Sequence, residues 1–149
     1  AAADKAVALA KGKVVAQHEI QTTGPACELR LTPIVGPNGL QADGADVVLF
    51  DVEAVDAQGR RCPTDEARVD FKLEGPAIWR GGYNSGRTNS VNNLWLFTEC
   101  GINRVAIRST FKPGVIMLTA TRDGLKSAQA QVQSNPVEIK SGLVESRRR

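Results

Sequence analysis

The sequence is poor in the residues that most often carry out catalysis or bind metals. It contains one histidine, His18, and three cysteines, Cys27, Cys62 and Cys100, in 149 residues. Catalytic triads and zinc sites draw on histidine and on closely spaced cysteines, and no Cys-x-x-Cys pair occurs here. We therefore predict no catalytic residues, no metal site and no cofactor for this chain.

Long apolar runs and clustered positive charge are also missing. No segment approaches the roughly 20 apolar residues of a membrane-spanning helix. Of the 19 basic residues, Arg147, Arg148 and Arg149 end the chain, which leaves 16 against 16 acidic residues. A nucleic-acid-binding surface normally needs clustered Lys and Arg, and no cluster precedes this tail. We expect neither nucleic acid nor membrane as a partner, and a disordered basic tail over residues 141–149.

Helical periodicity is absent too, and apolar and polar residues alternate instead. In DVVLFDVEAV, Val48, Phe50 and Val52 fall on one side while Asp51 and Glu53 fall on the other, as in a strand with one buried face. Similar segments, separated by turns rich in Gly, Pro and Asp, recur at residues 27–32, 69–73, 105–109, 116–121 and 128–132. This pattern predicts an all-β, immunoglobulin-like antiparallel β-sandwich over residues 25–140.

Residues 5–21 predict a β-hairpin ahead of the sandwich. Two short apolar stretches flank Lys11 and Gly12, which suit a two-residue turn in which glycine takes a positive φ. An Ala-rich helix is the alternative, but Gly12 would break it, and Val14 and Val15 favour extended backbone. Residues 22–25 then read as a linker.

Residues 74–110 concentrate the aromatic side chains, and they depart from the alternation up to residue 104. They contain both tryptophans, Trp79 and Trp95, and the single tyrosine, Tyr83. If these rings share one exposed face, they would form a carbohydrate-binding platform, with Arg80 and Asn84 gripping the hydroxyl groups. The alternative is structural, with the tryptophans covering an open end of the sandwich or an interface with another domain.

Two weaker patterns in the same stretch are better explained by turns. GGYNSGRT, at residues 81–88, differs from a phosphate-binding loop at one position, where Arg87 replaces the lysine, and no helical pattern follows it. The asparagines and serines of residues 84–93 lack the neighbouring carboxylates that a tight calcium site needs. Asn and Ser side chains that cap their own backbone account for such clusters without a ligand.

Several segments together resemble a known family. They are ADGADVVLFDVEAVDAQG, GRRCPTDEARVDFKLEGPAIWRGGYNSG, TECGINRVAIRST and PGVIMLTATRDGL. In this order they resemble the last immunoglobulin-like module of large bacterial β-galactosidases, which belong to glycoside hydrolase family 2. The resemblance covers about residues 25–132.

This resemblance implies a non-catalytic, C-terminal structural or accessory module of a larger enzyme. That enzyme would hydrolyse β-glycosidic bonds with two glutamates on a separate barrel. Residues 1–24 resemble the closing hairpin of a preceding immunoglobulin-like module. The other domains of the parent are then the expected partners, with carbohydrate as a second candidate and a homodimer through the N-terminal hairpin as a third. A periplasmic or extracellular location would fit the resemblance, but the sequence itself does not decide it.

Cys62 and Cys100 both belong to segments that carry the resemblance, so a disulfide between them is one expectation. Two buried free thiols are the other, because cysteine is among the most buried residue types even when unpaired. The sequence does not give the Cα separation that decides between them.

Overall fold

The structure, a computed structural model, describes residues 2–86, 89–140 and 143–144. Over these residues the chain has no helix and thirteen strands. The strands are β1 Ala3–Ala10, β2 Lys13–Gln21, β3 Glu28–Ile34, β4 Leu40–Gln41, β5 Val47–Val55, β6 Arg68–Glu74, β7 Ala77–Gly82, β8 Trp95–Phe97, β9 Ile102–Ser109, β10 Gly114–Thr121, β11 Ala128–Asn135, β12 Ile139–Lys140 and β13 Leu143–Val144.

Nine of these strands form two sheets that pack face to face. One sheet has five strands in the order β4-β11-β10-β6-β8, and the other has four in the order β3-β5-β9-β7. Within them, β4 and β11 pair in parallel and the other neighbours are antiparallel. From β5 to β10 the chain changes sheet at every connection. The prediction of an all-β sandwich is confirmed.

Alternation along the strands builds the core between the sheets. In β5, Val48, Phe50 and Val52 are fully buried, whereas Asp51 and Glu53 lie on the outer face of the four-stranded sheet. Strands β9 and β10 alternate in the same way. Burying an apolar side chain of this size contributes about 1.5–3 kcal/mol. The apolar positions therefore determine which face of each strand turns inward.

Strands β1 and β2 form an N-terminal hairpin that stands apart from both sheets. They pair with each other in antiparallel fashion. Lys11 and Gly12 have φ angles of 51° and 74°, the left-handed pair of a type I′ turn. The predicted hairpin is confirmed, and the helical alternative is wrong. Every residue from 2 to 22 is exposed, so neither face of the hairpin is covered by the sandwich.

Residues 74–110 contain two strands that the alternation does not reveal. Strand β7 joins the four-stranded sheet through β9, and β8 joins the five-stranded sheet through β6. A bulge that follows Trp79 interrupts the period of two in β7. A Cβ at Gly82 would lie 2.3 Å from Leu96 Cδ2. The lack of space for a side chain therefore explains why the GGYNSGRT pattern has a glycine at this position. Residues 87–88, which end the pattern, lie outside the described residues.

The C-terminus is described in part. Ile139–Lys140 pairs with Leu143–Val144, so part of the region predicted as a disordered tail forms a short strand. Residues 141–142 and 145–149 lie outside the described residues. For them the disordered basic tail stays a prediction.

Candidate functional site

Trp79 lies between the two sheets. Its ring is half-buried and packs against the core, with its centroid 5.3 Å from that of Phe71 in the opposite sheet. The indole Nε1–H donates to the carbonyl of Asn93 at 2.9 Å. A buried indole normally satisfies its N–H in this way. Trp79 therefore acts as a packing residue that also holds the loop before β8.

Trp95 lies on the outer face of the five-stranded sheet, because its neighbour Leu96 points into the core. The guanidinium of Arg68 sits 4.8 Å from the ring centroid, a distance typical of a cation–π contact. Asp70 holds this guanidinium through a bond from Arg68 Nε at 3.0 Å, and that hydrogen bond raises the pKa of Arg68. The ring of Trp95 is therefore covered by a side chain of its own sheet.

Tyr83, directly after β7, is the most exposed of the three aromatic residues, with 64% of its surface accessible. Its backbone N–H donates to the carbonyl of Arg104 at 2.9 Å. The side chain borders a shallow cavity of about 360 Å³ on the four-stranded sheet, whose other lining residues are Asp51, Glu99, Ile102, Asn103 and Arg104. Of the three aromatic residues in the predicted platform, Tyr83 is therefore the one that lines this cavity.

The floor of this cavity carries an ion pair across two strands. Asp51 of β5 lies opposite Arg104 of β9. Arg104 donates from Nε and Nη2 to the two carboxylate oxygens of Asp51, at 2.6 and 2.9 Å. These bonds raise the pKa of Arg104, so the guanidinium stays charged. At the rim, Glu99 accepts a hydrogen bond from the hydroxyl of Ser85.

Arg80 and Asn84, the polar residues assigned to the platform, do not line this cavity. Arg80 is exposed at the bulge of β7. Asn84 Oδ1 accepts from the backbone N–H of Gly86 at 2.8 Å, which is turn chemistry. The residues of the predicted platform are therefore distributed over three surfaces: the space between the sheets, the outside of the five-stranded sheet and the outside of the four-stranded sheet.

A second cavity, of about 510 Å³, lies at the end of β6 and β10 and is lined in part by Arg68, Thr121 and Arg122. Both of its arginines already have carboxylate partners. Arg68 is bound by Asp70, and Arg122 Nη1 donates to both oxygens of Asp65 at 2.8 Å. The sequence does not reveal this cavity, because its lining combines residues of β6 with the end of β10 and the turn after it, which are about 50 residues apart in the chain.

Asp56, directly after β5, anchors the linker that leads to the hairpin. Its carboxylate, 1% exposed, accepts from the N–H of Gly24 at 3.0 Å, from Gln58 N at 3.0 Å, and from Arg60 N and Nε at 2.9 Å. The bond from Arg60, and then those from the backbone, lower the pKa of Asp56. Arg60 reaches on to Gln21 Oε1 in the hairpin at 2.7 Å.

Cys62 and Cys100 are both free thiols in the structure, so the disulfide is not formed. Cys62 is buried, and its thiol donates to the carbonyl of Gly24 at 3.5 Å. Burial raises the pKa of this thiol, which disfavours the reactive thiolate. Cys100 is exposed, with a φ of 52° in the turn between Glu99 and Ile102.

Among the described residues, no three His, Cys, Asp or Glu side chains come together as a metal site. The same part of the chain has no helix with the length and apolar character to cross a bilayer.

The two packed sheets, with an exposed hairpin at the N-terminus, define an immunoglobulin-like β-sandwich domain. The family model described as glycoside hydrolase family 2 C-terminal domain 5 matches residues 31–131. The chain belongs to this family, and the expectation drawn from the resemblance is confirmed at that level.

Relatives with recorded activities are similar over most of this chain. A β-glucuronidase of Formosa agariphila is 54% identical over 123 residues, which are 83% of this chain and 12% of that protein. The β-galactosidase BoGH2A of Bacteroides ovatus is 34% identical over 135 residues, which are 87% of this chain and 15% of that protein. The chain therefore spans less than one sixth of the length of these two relatives.

Solved structures agree with this assignment. A β-glucuronidase from glycoside hydrolase family 2 superimposes with a TM-score of 0.83 at 49% identity, over 93% of this chain and 14% of that one. A family 2 member from Bacteroides cellulosilyticus gives a TM-score of 0.80 at 27% identity, over 89% of this chain and 17% of that one.

Proposed function

We propose that this chain is a non-catalytic, architectural C-terminal module of a larger family 2 glycoside hydrolase, whose β-glycosidic bond cleavage takes place on another domain. The observation that carries this proposal is the 54% identity to a β-glucuronidase, confined to 12% of that protein. Such strong similarity over so small a share is what a single module of a multidomain enzyme would show. The galactosidase and glucuronidase relatives point to a parent that acts on β-linked sugars.

The hairpin formed by β1 and β2 is the surface through which this module would join the preceding part of the parent. Its apolar side chains Val7, Leu9, Val14, Val15 and Ile20 are between 45% and 65% exposed. An isolated two-stranded hairpin is marginally stable in water. Because about half of each side chain is already covered, burying the rest would contribute about 0.7–2 kcal/mol each, which favours a partner surface over solvent.

Activity measurements test the non-catalytic assignment. The isolated chain and the full-length parent would be assayed with a chromogenic β-galactoside and a chromogenic β-glucuronide. We expect turnover by the parent and none by the chain at equal molarity. Turnover by the chain that scales with its concentration and survives repurification would overturn the assignment.

A pair of matched substitutions tests the docking of the hairpin. Val15→Ser removes an exposed apolar side chain from the hairpin, and Val91→Ser removes one of nearly equal exposure, 60% against 64%, from the sandwich. In the full-length enzyme we expect Val15→Ser, and not Val91→Ser, to lower the unfolding midpoint by a few degrees. In the isolated chain neither substitution should change the unfolding midpoint, because both valine side chains are exposed there.

Measuring the mass of the isolated chain in solution separates this proposal from a homodimer. We expect a monomer, because the proposed partner of the hairpin is another domain of the parent enzyme and not a second copy of this chain. A stable dimer that Val15→Ser dissociates would show instead that two hairpins pair with each other.

A further inference from the structure

We propose that the cavity beside Tyr83 binds a neutral pyranose unit of a carbohydrate, an activity separate from the architectural role. The cavity lies on the outer face of the four-stranded sheet, where Asp51 and Arg104 form its floor and Glu99 its rim. Its volume of about 360 Å³ falls in the range of small-molecule sites, about 300–1,000 Å³.

The aromatic ring is available and its backbone is held in place. Tyr83 is 64% exposed, so a face of the ring can stack on the apolar C–H surface of a sugar. Its N–H donates to Arg104 O at 2.9 Å, and its carbonyl accepts from Asn103 Nδ2 at 3.4 Å. These bonds fix the backbone of Tyr83 over the cavity, which lowers the entropy that binding would cost.

The polar groups suit hydroxyl recognition. Sugar hydroxyls both donate and accept hydrogen bonds, and the cavity has donors and acceptors side by side. The bidentate pairing of Arg104 with Asp51 uses its Nε and Nη2 groups, while the five N–H donors of a guanidinium leave further donors for a ligand. The pair is already oriented by its own bonds, so a sugar would meet a preformed surface.

The charge of the cavity selects the class of sugar. Among the described residues that line it, Asp51 and Glu99 carry two negative charges and Arg104 one positive charge, an excess of one negative charge. A uronate carboxylate would be repelled at such a site, whereas an uncharged hexose would not. The site should therefore prefer neutral sugars, even though one relative is a β-glucuronidase.

The two tryptophans offer no comparable surface. The ring of Trp79 packs against Phe71 between the sheets, and that of Trp95 is covered by Arg68. The larger cavity near Arg122 has no aromatic side chain in its lining. The cavity beside Tyr83 thus combines an exposed ring with oriented polar groups, which the other two surfaces do not.

Titration of the isolated chain with methyl β-galactopyranoside or methyl β-glucopyranoside, followed by NMR of the backbone amides, tests the proposal. We expect saturable shifts of the Tyr83 and Arg104 amides, with a dissociation constant on the order of 1–10 mM, as for a ligand held by a few contacts. The absence of saturable shifts at these amides with both sugars, up to about ten times that concentration, would overturn it.

Two exposed aromatic residues supply a matched comparison. Tyr83→Ala should weaken binding about tenfold, which corresponds to the upper range for one aromatic contact. Phe111→Ala removes a ring that is 72% exposed and does not line the cavity, so it should leave the affinity unchanged. Equal affinities for the wild type and Tyr83→Ala, or equal losses for both variants, would contradict the assignment.

Charge selection has its own test. Methyl β-glucuronide should bind at least several-fold more weakly than the neutral sugar, and Glu99→Gln should narrow that difference by removing one carboxylate. If the glucuronide binds as tightly as the neutral sugar, the preference for neutral sugars is wrong. Because the sandwich can be architectural with or without this site, these outcomes leave the proposed function of the module intact.

Discussion

Gly101 should be one of the positions least tolerant of a side chain. It follows Cys100 in the two-residue turn between Glu99 and Ile102, just before β9, and its φ is +77°. A Cβ built on Gly101 would lie 2.2 Å from the carbonyl oxygen of Cys62 and 2.8 Å from its carbonyl carbon. These are backbone atoms, so they cannot rotate out of the way as a side chain would.

The cost of Gly101→Ala has two parts. A left-handed φ costs a residue with a Cβ about 1–2 kcal/mol, and forcing an extra methyl group into a packed site costs about 1–3 kcal/mol more. We therefore expect a total loss of about 2–5 kcal/mol in the free energy of unfolding. Gly124 isolates the first part, because its φ is +79° and nothing lies within 4 Å of its Cβ position.

Urea unfolding followed by tryptophan fluorescence would measure both variants, since Trp79 and Trp95 are half-buried. With a slope of about 2 kcal/mol per M of urea, the extra 1–3 kcal/mol would separate the midpoints by about 0.5–1.5 M. Gly124→Ala should have the higher midpoint. Coinciding midpoints would refute the reasoning, because the close approach to Cys62 would then have no energetic consequence.

Three further predictions follow from side chains elsewhere in the sandwich. The fold lowers the pKa of Asp56, so the contribution of this carboxylate to stability is full above its unfolded pKa of about 3.9 and is lost as the pH falls below that value. Asp56→Asn should therefore flatten the dependence of the free energy of unfolding on pH below about pH 5. Parallel curves for the variant and the wild type would contradict this. Leu118→Ala, at a fully buried position, should cost about 2–5 kcal/mol in urea unfolding, and a loss under about 1 kcal/mol would mean that the core collapses around the cavity. Arg68→Ala should uncover Trp95, so that the tryptophan emission shifts to longer wavelength and is more readily quenched by acrylamide. The control Arg104→Ala should leave the spectrum unchanged. Equal spectra for the wild type and both variants would contradict the stacking of Arg68 on Trp95.

The sandwich could be predicted because its strands obey a local rule. Alternation in β5, with Val48 and Phe50 inward and Asp51 outward, is visible in consecutive letters, and so is the turn at Lys11 and Gly12. The sequence did not predict strands β7 and β8, because β7 is interrupted by a bulge and β8 has only three residues. Local patterns carry no signal for either irregularity.

The candidate site was only partly predictable, because proximity in sequence was a poor guide to proximity in space. Trp79, Tyr83 and Trp95 lie within 17 consecutive residues of the sequence, but β7 and β8 belong to different sheets and carry the rings to separate surfaces. The partners that Tyr83 does have, Asp51 and Arg104, are 53 residues apart. Only the register of β5 against β9 brings that pair together.

The joint between hairpin and sandwich has a consequence for chimeric enzymes. At Gly24 the linker contributes a backbone N–H and a carbonyl, whereas the side chains that bind them belong to Asp56 and Cys62 of the sandwich. A Cβ at this glycine would meet only ordinary contacts, the nearest 3.7 Å away. Every residue but proline has the same two backbone groups, so Gly24 itself could be replaced while both bonds are kept. A sandwich grafted onto a different parent enzyme would therefore keep the side chains, Asp56 and Cys62, that orient the linker relative to the sandwich.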